Sequence, residues 1–328
     1  MVPHNMNSCK SKHCFIHQTG FVAIVGILCL LRPPYHAASA ESTYEHRNLL
    51  TQKKITTLSR SLPLPFTQKN KFPDDMSNTI SHYAMWHTEL GKAYGLRAEM
   101  SIWGSQNEEY SQESGAAIQM YCQDDGGKYS LIEAGFHVSP SLYHNRDVRF
   151  FTYSTKDTKS PGCYNLQCTG FVPASGAALL PGQAIAPQSS YGETDRYIRL
   201  SLNKDPNSKD WVLYRHDLDA PSFLGHFPGQ LCPGTLQIQA LTGFVNYLRN
   251  TQGPPMGSGH FPDDEDEKKS AYFKHVKIYD SKGHAWDPIT THMVPLVDKE
   301  DCYNETDFTV KINRGYIFYY GGPSGCIG

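Results

Sequence analysis

Residues 198–202 read Ile-Arg-Leu-Ser-Leu, a stretch in which apolar and polar side chains alternate. Residues 275–278 repeat this alternation as His-Val-Lys-Ile. Successive side chains of a β-strand point to opposite faces, so each stretch predicts a strand with one buried and one solvated face. The sequence predicts further strands at 131–138, 148–153, 211–214 and 316–320, separated by turn clusters such as 124–127. Together they indicate an all-β fold: an antiparallel β-sandwich of two large sheets with a few short helical turns.

One stretch departs from the alternating pattern. Leu241, Phe244, Val245 and Leu248 stand at positions i, i+3, i+4 and i+7, which is the spacing of one face of a helix. We therefore predict helical structure for residues 241–248.

Composition agrees with a β-rich protein and excludes some partners. The chain has 20 Tyr, 15 Phe, 27 Gly and 21 Pro, a mixture of strand formers and turn formers. Its 30 Lys and Arg residues nearly balance 32 Asp and Glu, for a formal net charge of −2. Because no strong positive field is present, we expect no nucleic-acid partner. A length of 328 residues suits one large domain with additional sequence in front of it.

The first 78 residues have the pattern of a secreted protein's leader. Lys10 and Lys12 precede an apolar run at 21–31, and small residues follow at 37–40. We predict a signal peptide at 1–40, a linker or shortened propeptide at 41–78, and a folded domain at 79–328. An uncleaved signal anchor is the alternative, but the run is shorter than the ~20 residues that span a bilayer. We thus expect no membrane association after cleavage.

The cysteines fit the same compartment. Six of the nine lie beyond the leader, an even number that favours structural disulfides in an oxidising environment: Cys122, Cys163, Cys168, Cys232, Cys302 and Cys326. Their spacing lacks the tandem pairs of zinc sites, so we expect no metal. Asn304 begins an Asn-Glu-Thr glycosylation acceptor. A secreted location follows, in the apoplast, cell wall or vacuole.

Four motifs carry a resemblance to a known family. Residues 132–140 read Ile-Glu-Ala-Gly-Phe-His-Val-Ser-Pro, 149–153 read Arg-Phe-Phe-Thr-Tyr, 162–172 read Gly-Cys-Tyr-Asn-Leu-Gln-Cys-Thr-Gly-Phe-Val, and 256–261 read Met-Gly-Ser-Gly-His-Phe. As an ordered set they resemble the neprosin domain of plant glutamic prolyl endopeptidases, from about residue 82 to 323. The resemblance implies a secreted β-sandwich that cleaves beside proline at acid pH with two glutamates and no cofactor. A proline-containing peptide or protein is the implied ligand.

The resemblance also locates the catalytic positions. The first glutamate of the family lies in the Ile-Glu-Ala-Gly motif, where this chain has Glu133. The second lies in a Trp-Gly-Gly-Glu-Val motif, whose counterpart at 241–245 reads Leu-Thr-Gly-Phe-Val and places Phe244 at the carboxylate position. No Asp or Glu occurs between Asp219 and Asp263. Amides that could stand near the second position are Gln237, Gln239, Asn246 and Gln252.

A pair of carboxyl groups hydrolyses peptides because one stays protonated as the acid while the other activates water. With Phe244 in place of one of them, we predict an impaired or inactive peptidase. The alternative is an active acid endopeptidase in which Glu133 works with another partner, such as an amide. A carbohydrate- or peptide-binding sandwich is a weaker alternative that rests on fold analogy.

Further residues are assigned on the resemblance. It implies the disulfides Cys163–Cys168 and Cys302–Cys326, which leaves Cys122 and Cys232 to pair by elimination. Aromatic and histidine side chains that could line a peptide groove are His137, Trp103, Tyr164 and Tyr191, although packing in the core or in turns is the alternative for each. Ser258 and His260 lack the context of a serine nucleophile. The sequence does not specify an oligomeric state.

Overall fold

The computed structural model describes residues 78–88, 93–158, 162–262 and 266–328. The predicted signal peptide at 1–40 and residues 41–77 of the predicted linker lie outside the described residues. In chain order the elements are β1 (Thr79–Thr88), β2 (Gly95–Ser101), β3 (Glu113–Gln123), β4 (Tyr129–Val138), α1 (Pro140–Tyr143), β5 (Arg149–Thr155), β6 (Cys163–Tyr164), β7 (Val172–Pro173), β8 (Tyr197–Lys204), β9 (Trp211–Arg215), β10 (Ser222–Phe227), β11 (Thr235–Leu248), β12 (Ala271–Tyr279), β13 (Ala285–Trp286), β14 (Met293–Val297), β15 (Asn304–Glu305), β16 (Thr309–Lys311) and β17 (Gly315–Gly321), with 3₁₀ turns at Gly229–Leu231 and Thr290–His292.

The strands form two antiparallel sheets packed as a sandwich. The first sheet has seven strands in the order β14-β1-β11-β3-β4-β5-β6. The second sheet has ten: eight in the order β15-β17-β12-β2-β8-β9-β10-β7, with β13 beside β12 and β16 beside β17. This confirms the predicted all-β sandwich. None of the helices in the described residues is long and apolar enough to cross a bilayer.

The alternating stretches bury one face, as the sequence predicts. On β8, Leu200 and Leu202 lie wholly in the core between the sheets. On β4, Ile132, Ala134 and Phe136 reach the same core from the first sheet. Fully burying an aliphatic or aromatic side chain stabilises the fold by roughly 1.5–3 kcal/mol, so these alternating residues hold the two sheets together.

The helix prediction for 241–248 is wrong. These residues belong to β11, a fourteen-residue strand that pairs with β1 on one side and β3 on the other. Both faces of β11 are covered: Leu241 and Val245 pack into the core, and Phe244 packs into a separate cluster on the opposite face. A strand buried on both faces carries apolar residues at odd and even positions, and this obscures its period of two.

Three disulfides tie the sandwich together. Cys122 is bonded to Cys232, joining β3 to the segment before β11, and the separation of 110 residues makes this the longest loop closed. The other two bonds are Cys163–Cys168 and Cys302–Cys326. These are the pairs expected from the sequence. In the chain-entropy model, closing a loop of about 100 residues stabilises a fold by roughly 4.7 kcal/mol.

A buried carboxyl group on β15 gives the fold a testable pH dependence. Burial raises the pKa of Glu305 well above its ordinary value, and the backbone of Leu296 opposes the shift only in part. Between the ordinary pKa of the unfolded chain and the raised pKa of the fold, the native state holds a proton that the unfolded state has lost. Stability due to Glu305 therefore falls as pH rises through that window.

We expect the Glu305→Gln variant, which preserves the Asn-x-Thr acceptor, to gain stability relative to the wild type between about pH 4.5 and 7. Urea denaturation across that range measures the difference. Burial lowers the pKa of His87 to about 4, which acts in the opposite sense, but both proteins share that residue. A difference that is constant with pH would show that Glu305 has no raised pKa.

Candidate functional site

The hairpin of β3 and β4 places polar side chains on the side of the first sheet that turns away from the core. The two strands join through the turn at 124–127, and their register sets Gln119 opposite Glu133 and Gly115 opposite His137. The alternate residues of β4 pack into the core, so Glu133 and His137 share the other side, as predicted. We call this side, with Phe244 of β11, the Glu133 face.

Glu133 is buried and hydrogen-bonded to an amide that the sequence did not single out. Its side chain is only 2% exposed, and Gln119 Nε2 donates to Glu133 Oε2 at 2.7 Å. Gln119 Oε1 accepts hydrogen bonds from Thr242 Oγ1 at 2.9 Å and from the Tyr121 hydroxyl at 3.5 Å. These contacts orient the amide with its NH₂ group toward the carboxylate. Glu133 therefore lies in a packed polar site, where the sequence led us to expect an open groove.

Three adjacent rows of cross-strand neighbours describe the centre of this face. From β11 across β3 to β4 they are Ala240, Gln119 and Glu133; Thr242, Ala117 and Gly135; and Phe244, Gly115 and His137. The middle row carries short side chains. Positions 133 and 244 are thus at opposite corners of a patch whose central residues have small side chains or none. A peptide bond in contact with both corners would lie over Ala117 and Gly135.

Residue 244, which the resemblance assigns to the second catalytic position, carries a packed aromatic ring. Phe244 is 4% exposed and makes an edge-on contact with Phe151, with 6.1 Å between ring centroids. Its ring lies over Gly115, because a Cβ atom built on that glycine would be 2.8 Å from Phe244 Cζ. Because Gly115 has no side chain, the Phe244 ring can occupy the space above it. A phenyl ring offers no group that can donate or accept a proton there.

A buried glutamate–histidine pair lies next to Phe244. Glu113 Oε1 is 2.5 Å from His137 Nδ1, and the two side chains are 3% and 0% exposed. Asn246 of β11 donates its Nδ2 to Glu113 Oε2 at 3.0 Å. The His137 ring stacks on Phe151 with 4.2 Å between centroids. The structure thereby gives the predicted groove residue His137 a fixed orientation and an acidic partner.

The other nitrogen of His137 continues this network toward α1. Tyr143 places its hydroxyl 2.8 Å from His137 Nε2, and Asn165 Nδ2 donates to the same hydroxyl oxygen at 2.9 Å. The phenolic oxygen can accept a second hydrogen bond or donate its own proton, so Tyr143 and His137 Nε2 stay bonded whichever nitrogen of the ring carries the proton. The arrangement is a chain of hydrogen bonds from a carboxylate to a partly buried phenol.

A second carboxyl group borders the pair. Ser114 Oγ donates to Glu108 Oε1 at 2.5 Å, and Glu108 is fully buried. Burial raises the pKa of Glu108 well above its ordinary value; the hydrogen bond from Ser114 opposes the shift, and the negative charge of Glu113 adds to it. Glu113 disfavours ionisation of Glu108 because two buried anions repel each other.

Two tyrosines connect the parts of the face electrostatically. Tyr153 and Tyr164 pack against one another with 4.4 Å between ring centroids. Burial raises the pKa of each hydroxyl, and the charges of both Glu133 and Glu113 raise it further. Both carboxyl groups therefore lie close enough to act on the same two hydroxyls. Tyr164 thus lies near Glu133 but is buried.

Other residues proposed from the sequence lie elsewhere. Trp103 belongs to the core between the sheets and donates its Nε1 to Ser101 Oγ at 3.1 Å, so its assignment to a groove is wrong. Tyr191 is 47% exposed and packs on His260, with 4.0 Å between ring centroids. The structure does not bring it to the cluster around Glu133. Of the four candidate amides, Asn246 contacts Glu113, whereas Gln239 accepts a hydrogen bond from the Gly95 backbone.

Two other chemistries find no support among the described residues. No group of three or more His, Cys, Asp or Glu side chains there is arranged to hold a metal ion. Ser258 Oγ is buried without a hydrogen-bond partner in that part of the chain, so it forms no bond to the imidazole of His260. The acidic and amide groups of the Glu133 face are the remaining candidates for proton transfer.

Comparison with known proteins identifies one family. Residues 110–323 match the family model described as Neprosin. Among solved structures, scytalido-glutamic peptidase with a peptide-based transition-state analogue is similar at 6% identity and a TM-score of 0.37, covering 75% of this chain and 99% of that one. SCP-B, a member of the eqolisin family of peptidases bound to the tripeptide Ala-Ile-His, is similar at 8% identity and a TM-score of 0.35, covering 74% and 98%. Similarity at this level does not establish an activity.

Proposed function

Because the chain belongs to the neprosin family, we propose that it is a secreted, peptidase-like protein that binds proline-containing peptide on the Glu133 face and hydrolyses it poorly or not at all. The observation that carries this proposal is the Phe244 ring over Gly115, at the position of the second glutamate. Three disulfides support an oxidising, extracellular compartment. Peptide is the ligand class because the family acts on peptides.

The loss of chemistry follows from how carboxyl pairs work. One carboxyl group must hold a proton while the other activates water, and the two tasks fail together when either group is missing. The Phe244 side chain can supply neither a proton nor a lone pair. Binding does not require the pair, since contacts that hold a peptide need no group that takes up or releases a proton.

An assay of the purified full chain tests this proposal. We expect incubation with a proline-rich peptide between about pH 2.5 and 5, the range in which carboxyl pairs titrate, to give no product by mass spectrometry, or a rate lower by about 10⁴-fold than that of a complete dyad. Calorimetry with the same peptide is expected to detect binding. Cleavage beside proline that disappears in the Glu133→Gln variant would contradict the proposal.

A specific contact favours a second candidate, an acid endopeptidase that uses Glu133 with Gln119. Gln119 Nε2 lies 2.7 Å from Glu133 Oε2, and an amide can orient water or stabilise an oxyanion. In that case both Glu133→Gln and Gln119→Leu abolish cleavage. Asn246→Leu alters another buried amide, on β11 and on the same face of the sheet. This variant should still cleave the peptide, and its cleavage should still require Glu133. If the wild-type chain does not cleave the peptide, the first proposal, binding without hydrolysis, is favoured over the second.

A further inference from the structure

A row of side chains crosses the outer side of the second sheet, away from the Glu133 face. Its members are successive cross-strand partners on β12, β2, β8, β9 and β10: Lys277, Arg97, Ser201, Tyr214 and Phe223. Neighbouring strands are about 4.8 Å apart, so the row spans roughly 19 Å. We call it the Arg97 row. It contains two cations at one end and two aromatic rings at the other.

The cationic end is incompletely neutralised by the protein. Arg97 and Lys277 are directly opposite each other, and like charges at such positions destabilise a sheet. Lys277 forms an ion pair with Asp287 at 2.5 Å. Arg97 has no ion pair in the part of the chain that the structure describes, and its buried Nε lacks a hydrogen-bond partner there. Arg97 as a residue is only partly buried, so its charge is open to an anionic ligand, and such a ligand could also supply the acceptor that Nε lacks.

The acids on this side of the sheet are already engaged by other cations. Glu99 is 1% exposed and binds both Arg199 and Lys274, the latter at 3.0 Å. Asp217 binds Arg215 at 2.8 Å. Among the described residues, no carboxylate therefore compensates the positive charge of Arg97 in the row.

The charge of Arg97 affects His216, which lies beside the middle of the row. His216 Nε2 is 2.8 Å from Ser201 Oγ, beside Arg97. Burial lowers the pKa of His216 to about 4, and the positive charges of Arg97 and Arg199 contribute to the shift. The Ser201 hydroxyl is only 1% exposed and already bonded to His216, so at neutral pH the uncharged, partly exposed imidazole of His216 is the group that can hydrogen-bond to a neutral polar group such as an alcohol.

The aromatic end offers a platform. Tyr214 and Phe223 are 5.1 Å apart between ring centroids, and Phe223 is 37% exposed. Such rings pack against flat apolar surfaces, including the C–H face of a sugar ring. The backbone groups beneath the row are used in the sheet ladder, so only side chains are available to a ligand. That disfavours an extended peptide, which would bind at a sheet edge through its backbone.

We propose that the Arg97 row binds an acidic polysaccharide, a chain of uronic acid sugars. Arg97 and Lys277 hold a sugar carboxylate, His216, oriented by Ser201, binds a hydroxyl group, and Tyr214 and Phe223 stack on a following ring. The site is independent of the Glu133 face and of any peptidase activity. It is a binding site that would attach the protein to an acidic glycan matrix.

Calorimetry on the full chain tests the proposal with a short oligogalacturonate as the probe. We expect the Arg97→Gln/Lys277→Gln variant to bind it about tenfold or more weakly, which corresponds to about 1.4 kcal/mol or more. The matched control Arg249→Gln/Lys282→Gln removes the same two charges from exposed positions elsewhere and is expected to bind like the wild type. Phe223→Ala, at an exposed edge position, tests the platform without altering charge.

Several outcomes would overturn the proposal. Equal binding of the fully methyl-esterified oligomer would show that no carboxylate is recognised. Equal losses in both double variants would reduce the effect to net charge. Binding of polyglutamate in preference to the uronate would assign the row to an acidic peptide, and no binding of the uronate by the wild type would remove the site altogether. Circular dichroism confirms that each variant is folded before it is scored.

Discussion

The Phe244→Glu variant is expected to cleave proline-containing peptide at acid pH about 10³–10⁴-fold faster than the wild type. The substitution places a carboxyl group at the corner of the patch opposite Glu133, and between them lie Ala117, with one methyl group, and Gly135, with no side chain. The ring it removes already occupies space over Gly115, so a glutamate side chain fits without displacing the backbone. Rates are measured by mass spectrometry on the same peptide used for the wild type.

Two controls identify the source of any gain. Phe244→Gln has nearly the shape of the glutamate but cannot hold or release a proton in this range, so it should remain inactive. Adding Glu133→Gln to Phe244→Glu should abolish the gain, because both carboxyl groups are required. A folded Phe244→Glu protein that stays inactive would show that the missing carboxylate is not what prevents hydrolysis.

Part of this site can be predicted from the sequence. The sequence indicates the turn at 124–127, and strands joined by a short turn pair with residue numbers of constant sum. Gln119 and Glu133 satisfy that sum, as do Gly115 and His137. The amide partner of Glu133 is not among the four amides near position 244, because it belongs to the other strand of the hairpin that carries Glu133.

The rest depended on information that no local pattern carries. Phe244 reaches the Glu133 face only because β11 lies between β1 and β3, a pairing of strands far apart in sequence. The contact between Glu113 and Asn246 spans 133 residues for the same reason. Apolar and polar alternation indicates which face a residue occupies but not which strand lies beside it. The fold class followed from the pattern, and the composition of the site followed from the strand order.

We expect the His137→Ala variant to lose on the order of 3–5 kcal/mol of unfolding free energy, the range found when one partner of a buried ion pair is removed. Glu113 would lose the Nδ1 contact at 2.5 Å, and Tyr143 would lose its hydrogen bond to Nε2. The stack on Phe151 would become a cavity. Urea denaturation at neutral pH measures the change. His284→Ala, which alters a histidine that is 77% exposed, should leave the midpoint unchanged.

A double variant separates the charge pair from simple packing. Glu113→Gln/His137→Phe replaces both partners of the pair and keeps an aromatic ring against Phe151, so it should be more stable than His137→Phe, in which the same ring leaves the buried carboxylate without its donor. If His137→Phe and the double variant were equally stable, the loss in His137→Ala would come from packing of the ring alone. If His137→Ala cost less than about 1 kcal/mol, the level of an exposed pair, the network would not stabilise the fold. The order wild type, double variant, His137→Phe is thus the signature of a buried pair that holds the Glu133 face in shape.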